Sequence, residues 1–358
     1  MNICEHMKKE VLCKQKLDAV LVTDSYNFHY LSGFDGEGLL LISADSAYLL
    51  TDSRYTIAAK EFSGPKGFCV IEYSSANPKR EILTKLTQEG GIERIGYEDL
   101  SMTVSEFWRM EDMLPGAEFL PLGEDLNALR MIKTDEEIAL LARAEEIGDE
   151  AFKNVLPMIR PGVSELEVAA ELEYAMKKAG AQGLSFETIV ASGLNSAKPH
   201  HKPCEKLIET GDFVTMDFGC IYHGYCSDMT RTVVVGKASE EQKKIYDIVL
   251  EAQQSAFAAL RPGVTGKEVD AVARDIIAGY GYAENFGHGL GHSVGLFIHE
   301  EPRLSPSEDR ILVPGNIETV EPGIYIEGFG GVRIEDMCVV TKDGARSLAH
   351  SPKELIEL

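Results

Sequence analysis

Residues 160–168 read RPGVSELEV and residues 261–269 read RPGVTGKEV. Each stretch follows a run with helical spacing and opens another through a Ser or Thr with Glu three positions on. That is the pattern in which hydroxyl and carboxylate reciprocally satisfy the free N–H groups of a helix start. The offset is 101 residues. A near-match at the same place in two helical patterns marks two related halves. Equivalent features are then expected to face one another across a pseudo-twofold axis.

Paired carboxylates recur in that way. GDFVTMDFGCIYHGYCSDMTRTVVV (211–235) reads as a β-hairpin turning near Tyr222–Gly224, with Asp217 and Asp228 almost equidistant from the turn. ETVEPGIYIEGFGGVRIEDMCVV (318–340) reads as a second hairpin turning near Gly328, with Glu321 and Glu335 equidistant from it. Residues opposed across an antiparallel pair stand about 4.5–5.5 Å apart at Cβ, close enough to hold one ion. Two such hairpins meeting at the axis concentrate four carboxylates.

Four ionised carboxylates in one place raise each other's pKa unless cations neutralise them, and two divalent ions balance the four charges. A neutral nitrogen donor is also needed. HGLGHSVGLFIHEEP (288–302) offers His288, His292 and His299, among glycines that let the backbone come close. An oxygen-rich set with one imidazole suits Mn²⁺, Co²⁺, Fe²⁺ or Zn²⁺ and is unlike a closed structural zinc site. Paired ions about 3.5–4 Å apart are a recurrent device of hydrolases. Each piece has an ordinary reading: a lone Asp in a hairpin is a turn or surface residue, a lone His is hydrogen-bonded, and GHGLGH is a glycine-rich turn. Two symmetric carboxylate pairs and a His-rich loop within one duplicated domain outweigh those readings.

Upstream, residues 16–122 change pattern quickly. Short apolar runs such as LDAVLVT (17–23), GLLLIS (38–43), AYLLTD (47–52) and FCVIEY (68–73) stand between Gly, Asp, Ser and Asn and read as strands. With helical candidates at 78–89 and 103–114, the region reads as a compact mixed α/β domain. PLGEDLNALRMIKT (121–134) then leads into Thr134 and Glu137, a capping box before the apolar positions Ile138, Leu141, Ile147 and Ala151. The expected domains are 1–123 and 124–358.

A chain of 358 residues with 44% apolar content has room for two cores. MNICEHMKKEVLCKQ (1–15) has no apolar segment of signal-peptide type, and no run approaches a bilayer-spanning length. A cytosolic chain without a membrane partner is expected. Seven cysteines, an odd number with no C-x-x-C pair, argue against a disulfide framework and against a cysteine zinc site. The net charge of −23 is spread along the chain. It favours solubility and speaks against nucleic acid, which needs a concentrated basic surface.

These residues resemble the pita-bread metallopeptidases, the superfamily of methionine aminopeptidases, proline-specific aminopeptidases and prolidases. HGLGHSVGLFIHE (288–300) looks like the signature of the proline-peptidase branch, and the D-x10-D spacing, VEPGIY (320–325) and GVRIED (331–336) follow the family order. TDSRY (51–55) resembles a segment of the creatinase-type N-terminal domain that this branch carries, so the resemblance spans essentially the whole chain. It implies an α/β (α+β) fold, a creatinase-type domain followed by a pseudo-twofold pita-bread catalytic domain. Carried over by position, Asp217 binds one ion, Asp228 and Glu335 bridge both, and His292 and Glu321 complete the other. A water or hydroxide between the ions is then the nucleophile, and Glu321 also serves proton transfer. His200 matches a histidine beside the leaving nitrogen and His299 one that stabilises the tetrahedral intermediate. His201 matches no family role. His288, Tyr325 and Arg333 look like positions that bind the proline side or brace the ligands, and Thr230, two residues beyond Asp228, is a partner of the ligands.

The leading expectation is an Xaa-Pro aminopeptidase acting on short proline-containing peptides, because the X–Pro amide lacks an N–H and its ring resists the extended binding of general peptidases. The alternative is a prolidase, which accepts only the Xaa-Pro dipeptide and must hold its free carboxylate. Arg303, after HEEP, is a candidate anchor, against the ordinary reading of an exposed loop arginine. Methionine aminopeptidase is disfavoured by the N-terminal domain. Metal-free creatinase chemistry and a non-catalytic peptide-binding module are disfavoured by the complete ligand set. The resemblance favours a homodimer, and manganese is placed first among the ions, ahead of cobalt, zinc and iron.

Overall fold

The short apolar runs of the N-terminal region become strands because the middle of their sheet is covered on both faces. In the computed structural model, which describes residues 3–358, β1 (Ala19–Val22), β2 (Leu39–Ser43), β3 (Ala47–Thr51), β4 (Cys69–Glu72), β5 (Arg94–Tyr97) and β6 (Glu118–Pro121) form one sheet in the order β4-β3-β2-β1-β5-β6. All four residues of β1 and the first four of β2 are buried, as central strands of a covered sheet require. The β1/β2 and β2/β3 pairs are antiparallel and the other pairs parallel. The helices of this unit are α1 (Ile3–Met7), α2 (Ser25–Ser32), α3 (Thr56–Ser63), α4 (Lys79–Gly90), α5 (Val104–Met113) and α6 (Asp125–Ala128). Those expected at 78–89 and 103–114 are α4 and α5.

The chain divides after Arg130, later than the expected limit at residue 123. The intervening stretch is the helix α6 rather than an open linker. Leu126 is buried, Tyr30 Oη donates to Leu129 O at 2.7 Å, and Gln15 Nε2 donates to Asp125 Oδ2 at 2.5 Å. These contacts bind residues 125–129 to the first unit.

Two helix pairs carry the second unit, α7 (Asp135–Val155) with α8 (Glu165–Lys178), and α9 (Glu240–Ala259) with α10 (Gly266–Gly279). All four start at capping boxes, Thr134/Glu137, Ser164/Glu167, Ser239/Gln242 and Thr265/Glu268; loss of such a cap costs about 1 kcal/mol. The duplication read from the RPGV stretches is present in the backbone. Gly162 and Gly263 both sit at φ 89°, a conformation open to glycine at little steric cost. Their N–H groups donate to Ile208 O and Leu312 O at 2.9 and 3.0 Å, and Ile208 and Leu312 donate back to Val163 O and Val264 O at 2.8 Å.

The first half contributes β7 (Gly183–Leu184), β8 (Ile189–Ser192), β9 (Phe213–Phe218), β10 (Cys220–Tyr222), β11 (Tyr225–Cys226) and β12 (Met229–Val234). The second half contributes β13 (Gly291–Ser293), β14 (Glu300–Leu304), β15 (Ile317–Val320), β16 (Gly323–Ile326), β17 (Gly330–Arg333), β18 (Asp336–Val340) and β19 (Ala345–Ser347). One core packs Ile147, Phe152, Leu172 and Met176 of the first helix pair with Met216 and Phe218. The other packs Ile245, Val249, Val269 and Ile277 with Val320, Ile324 and Val332. Polar side chains join the halves: Thr232 Oγ1 donates to Arg333 O at 2.9 Å, and Thr215 Oγ1 to Gly331 O at 3.4 Å.

Candidate metal centre

The two hairpins place their acids differently. In the first, His223 and Gly224 take φ 49° and 86°, and Tyr222 pairs with Tyr225, so the turn is a two-residue one, the kind that matches strand twist. The same register sets Thr230 opposite Asp217. The expected direct opposition of Asp217 and Asp228 is therefore corrected by two residues. Asp228 is the diagonal neighbour, still on the face that Asp217 and Thr230 share, because side chains alternate with a period of two. In the second hairpin the pairs Gly323↔Arg333 and Val320↔Asp336 bracket Glu321 and Glu335, which occupy equivalent positions on the two strands as expected.

The halves meet at these acids. Glu335 N donates to Thr230 O at 3.1 Å, and Thr230 Oγ1 donates to Glu335 Oε2 at 2.7 Å. Carboxylate oxygens of Asp217, Asp228 and Glu335 lie within 4.8 Å of one another. His292 Nε2 stands 3.5 Å from both Asp228 Oδ2 and Glu321 Oε1, which completes a cluster of four acids and one imidazole. Gly291 lets this strand approach, since a Cβ there would stand 1.9 Å from Thr319 O. In return His292 N donates to Thr319 Oγ1, and that hydroxyl donates to Glu321 Oε1, both at 3.1 Å.

The protein engages some oxygens of the cluster and leaves others free. Arg333 Nη2 donates to Asp217 Oδ2 at 2.5 Å while Asp217 Oδ1 is buried with no partner among the described residues. Glu335 Oε2 takes the Thr230 hydroxyl while Glu335 Oε1 is likewise buried and unpartnered. Burial pushes Asp228 and Glu335 well above the carboxylate range, reinforced by Glu335 and Asp217 at the former and by Glu321 and Asp217 at the latter. Burial also raises Glu321 to about 8, against the opposing charge of Arg333. Burial, with His299 adding, lowers His292 to about 3. A neutral imidazole with crowded acids and orphaned oxygens is a donor set made for cations.

A cavity of about 930 Å³ opens over the cluster and is lined by Asp217, Asp228, Glu321, Glu335 and His292, together with His200, His288, His299, Arg303 and Arg333. His299 packs edge-to-face on His292 with ring centroids 4.6 Å apart. Behind the lining, Tyr325 Oη joins His288 Nε2 (3.0 Å) to Arg333 Nη1 (2.8 Å), and burial lowers His288 to about 4. Arg303 is not the exposed loop residue of the ordinary sequence reading. It lies in β14 directly across from His292, with its Nε 3.1 Å from Glu301 Oε1.

Residues 139–342 match metallopeptidase family M24, and residues 8–132 match the creatinase/prolidase N-terminal domain. The chain belongs to metallopeptidase family M24. It is a mixed α/β metallopeptidase with the pita-bread catalytic fold. Its similarity extends to an Xaa-Pro dipeptidase of Pyrococcus horikoshii, 41% identical over 98% of this chain and 99% of that one. Among solved structures, an Xaa-Pro dipeptidase from Bacillus anthracis aligns with a TM-score of 0.95 at 45% identity, covering 99% of both chains. An X-Pro aminopeptidase from Thermotoga maritima aligns with a TM-score of 0.91 at 40% identity, covering 96% of this chain and 98% of the other. Divalent ions, which membership of an M24 metallopeptidase family implies, suit the donors present.

Three supports of the centre escaped the sequence reading. Glu145 on α7 is fully buried, and its Oε2 accepts Asp228 N at 3.3 Å. Burial, with the charge of Asp149 adding, pushes its pKa far up. A signal existed, because Glu145 falls four residues after Leu141 on the apolar face of α7. Lys133 Nζ, buried, donates to Ser293 Oγ at 2.9 Å and to Glu300 Oε2 at 3.1 Å, behind the His292 strand. Glu165 holds His201 and Cys204, beside His200. For these two, nothing in the spacing singled them out. No helix among the described residues is long and apolar enough to cross a membrane.

Proposed function

We propose that the chain is an Xaa-Pro dipeptidase, with two divalent ions held by Asp217, Asp228, His292, Glu321 and Glu335. The observation that carries the dipeptide reading is Arg303, which lines the same cavity and sits across the strand pair from His292. A guanidinium there suits the free carboxylate that an Xaa-Pro dipeptide presents next to its scissile bond. The two dipeptidases described above support the same ordering, which reverses the sequence expectation of an aminopeptidase. The ions, when bound, lower the pKa of a water towards neutrality and polarise the scissile carbonyl.

In this reading Asp217, Asp228, His292, Glu321 and Glu335 would supply the ligands of the two ions. Arg333 and Thr230 orient Asp217 and Glu335. His299, on the cavity wall beside His292, donates to the carbonyl oxygen as charge develops. His200 stands beside the leaving imino nitrogen, Glu321 passes the proton lost by the attacking water to that nitrogen as the C–N bond breaks, and the His288–Tyr325–Arg333 chain borders the proline. The oxygen-rich donors support manganese as the ion. The proposal includes a cytosolic homodimer.

A second reading, the Xaa-Pro aminopeptidase, is favoured by one specific observation. The cavity of about 930 Å³ is near the top of the roughly 300–1,000 Å³ range of small-molecule sites and exceeds what a dipeptide needs. Turnover of Ala-Pro and Ala-Pro-Ala by the manganese-loaded protein decides between them. Cleavage of the dipeptide alone is expected; equal or better cleavage of the tripeptide establishes the aminopeptidase.

A further inference from the structure

Outside the acidic cluster, one other group of side chains brings three different ligating chemistries to a point. His201 Nε2 lies 2.8 Å and Cys204 Sγ 3.1 Å from the same oxygen, Glu165 Oε2, and the three ligand atoms are within 4.8 Å of one another. The Glu165 side chain is fully buried, and that of His201 is 11% exposed and lines the wall of the large cavity. Oε1 of the same carboxylate accepts Ser192 N at 2.7 Å, Ser192 Oγ at 2.9 Å and Asn195 Nδ2 at 3.0 Å. It is thereby fixed with Oε2 aimed at the imidazole and the thiol, and Oε2 also accepts Cys204 N at 3.2 Å.

The duplicated architecture shows that the imidazole and the thiol of this group are not a requirement of packing. In the first half Leu166 N donates to Cys204 O, and in the second Lys267 N donates to Glu308 O in the equivalent place. The helix-to-loop junction is therefore built twice. Yet the position equivalent to Glu165 is Gly266, where a Cβ would stand 2.0 Å from Arg303 O. The second half fills that point from the other side with one carboxylate, the buried Glu308, whose Cγ would stand 2.7 Å from a Cβ on Gly266 and which accepts from Arg303 N, Arg310 N and Arg310 Nη1. The imidazole and the thiol beside the carboxylate are thus found in the first half only.

We propose that Glu165, His201 and Cys204 form a further metal site, suited to zinc, on the wall of the catalytic cavity. A carboxylate, a thiolate and a neutral imidazole carry two negative charges, which one divalent ion balances. The mixed O, N and S donors suit zinc, with a fourth position open to water, whereas the main cluster offers oxygens and a single imidazole. Binding places the ion where the imidazole and thiol hydrogens now point at Oε2. The thiol proton is released to solvent, and the imidazole proton moves to Nδ1, freeing Nε2. Occupancy clamps the segment from Ser192 to Cys204, which carries His200 into the cavity.

The test uses cobalt(II) as a spectroscopic substitute for zinc and reads a signal that requires a thiolate. Cobalt is added to the full-length protein with its main centre already occupied by manganese. A thiolate-to-cobalt charge-transfer absorption is expected at one equivalent, retained in Asp228→Asn and abolished in Cys204→Ser. Zinc displaces it, with an affinity that falls in Cys204→Ser by more than the roughly ten- to hundredfold that loss of an outer partner costs. Retention in Asp228→Asn separates this site from the peptidase centre, whose failure leaves the absorption intact. Absence of the absorption in the folded wild-type protein, or its persistence in Cys204→Ser, overturns the site. Loss in Glu165→Gln with an unchanged circular dichroism spectrum is expected as well, and full retention there also overturns the assignment.

Discussion

Thr230 donates its hydroxyl to Glu335 Oε2 at 2.7 Å while standing directly opposite Asp217 in the β9/β12 register. Thr230 Oγ1 itself accepts Arg333 Nε at 3.0 Å, and Arg333 in turn holds Asp217. One residue of the first half therefore orients an acid of the second, which returns the contact.

Replacing Thr230 by Val keeps the shape and removes both bonds. Glu335 is left buried without its donor, and metal affinity is expected to fall by roughly ten- to hundredfold, the range for loss of an outer partner. Metal titration by calorimetry reads the effect. Unchanged affinity contradicts an orienting role for Thr230.

Asp228→Ala is expected to abolish turnover and weaken metal binding while the protein stays folded. Asp228 is 5% exposed and shares its surroundings with Glu335, Asp217, Glu321 and Glu145, so removing it relieves repulsion in the metal-free state. Normal activity in this variant removes Asp228 from the ligand set; a collapsed circular dichroism spectrum contradicts the claim that its role is in the site.

The metal-free protein is expected to lose stability as pH rises. Glu321 titrates near 8 when folded, against an ordinary 4.5, so between those values the folded state binds more protons than the unfolded one and the slope of stability against pH is negative. Its contribution is fully present below about 4.5 and lost as pH rises through about 8; Asp228 and Glu335 are raised too and act with the same sign. Urea melts of the chelated protein across this window measure it. Manganese should reverse the trend at the alkaline end, and a chelated protein that gains stability with pH contradicts the burial of these acids.

Arg303→Ala probes the carboxylate anchor. A hydrogen bond to a charged group is worth about 1.5–3 kcal/mol, so kcat/KM for Ala-Pro is expected to fall roughly ten- to hundredfold. A peptide without a carboxylate at that place should be hydrolysed at its previous rate. Equal losses for both substrates indicate a structural role, such as the pairing with Glu301.

The chemistry of the centre was legible because acids and histidines leave a conspicuous record in sequence. Asp217, Asp228, Glu321 and Glu335 stand in two symmetric patterns, and the PG turns at 162 and 263 demand the same left-handed backbone in both halves. Capping boxes at Thr134, Ser164 and Thr265 are local, since their bonds close within four residues, and they were readable for that reason. The register of the first hairpin was not. It depends on where a two-residue turn centres, and a shift of two residues keeps every side chain on its face.

The sequence alone determined the two-part organisation and the duplication, and it singled out the four acids and the histidine that the fold gathers into one cluster, because each rests on spacing along the chain or on residue chemistry. Tertiary structure decided what those residues touch. Arg303 became a cavity residue by pairing with His292, Glu145 became the support of Asp228, and Glu165 gathered His201 and Cys204 across 36 and 39 residues. Contacts of that kind form only when distant segments pack together, and a buried charge must then find its partners wherever the fold supplies them.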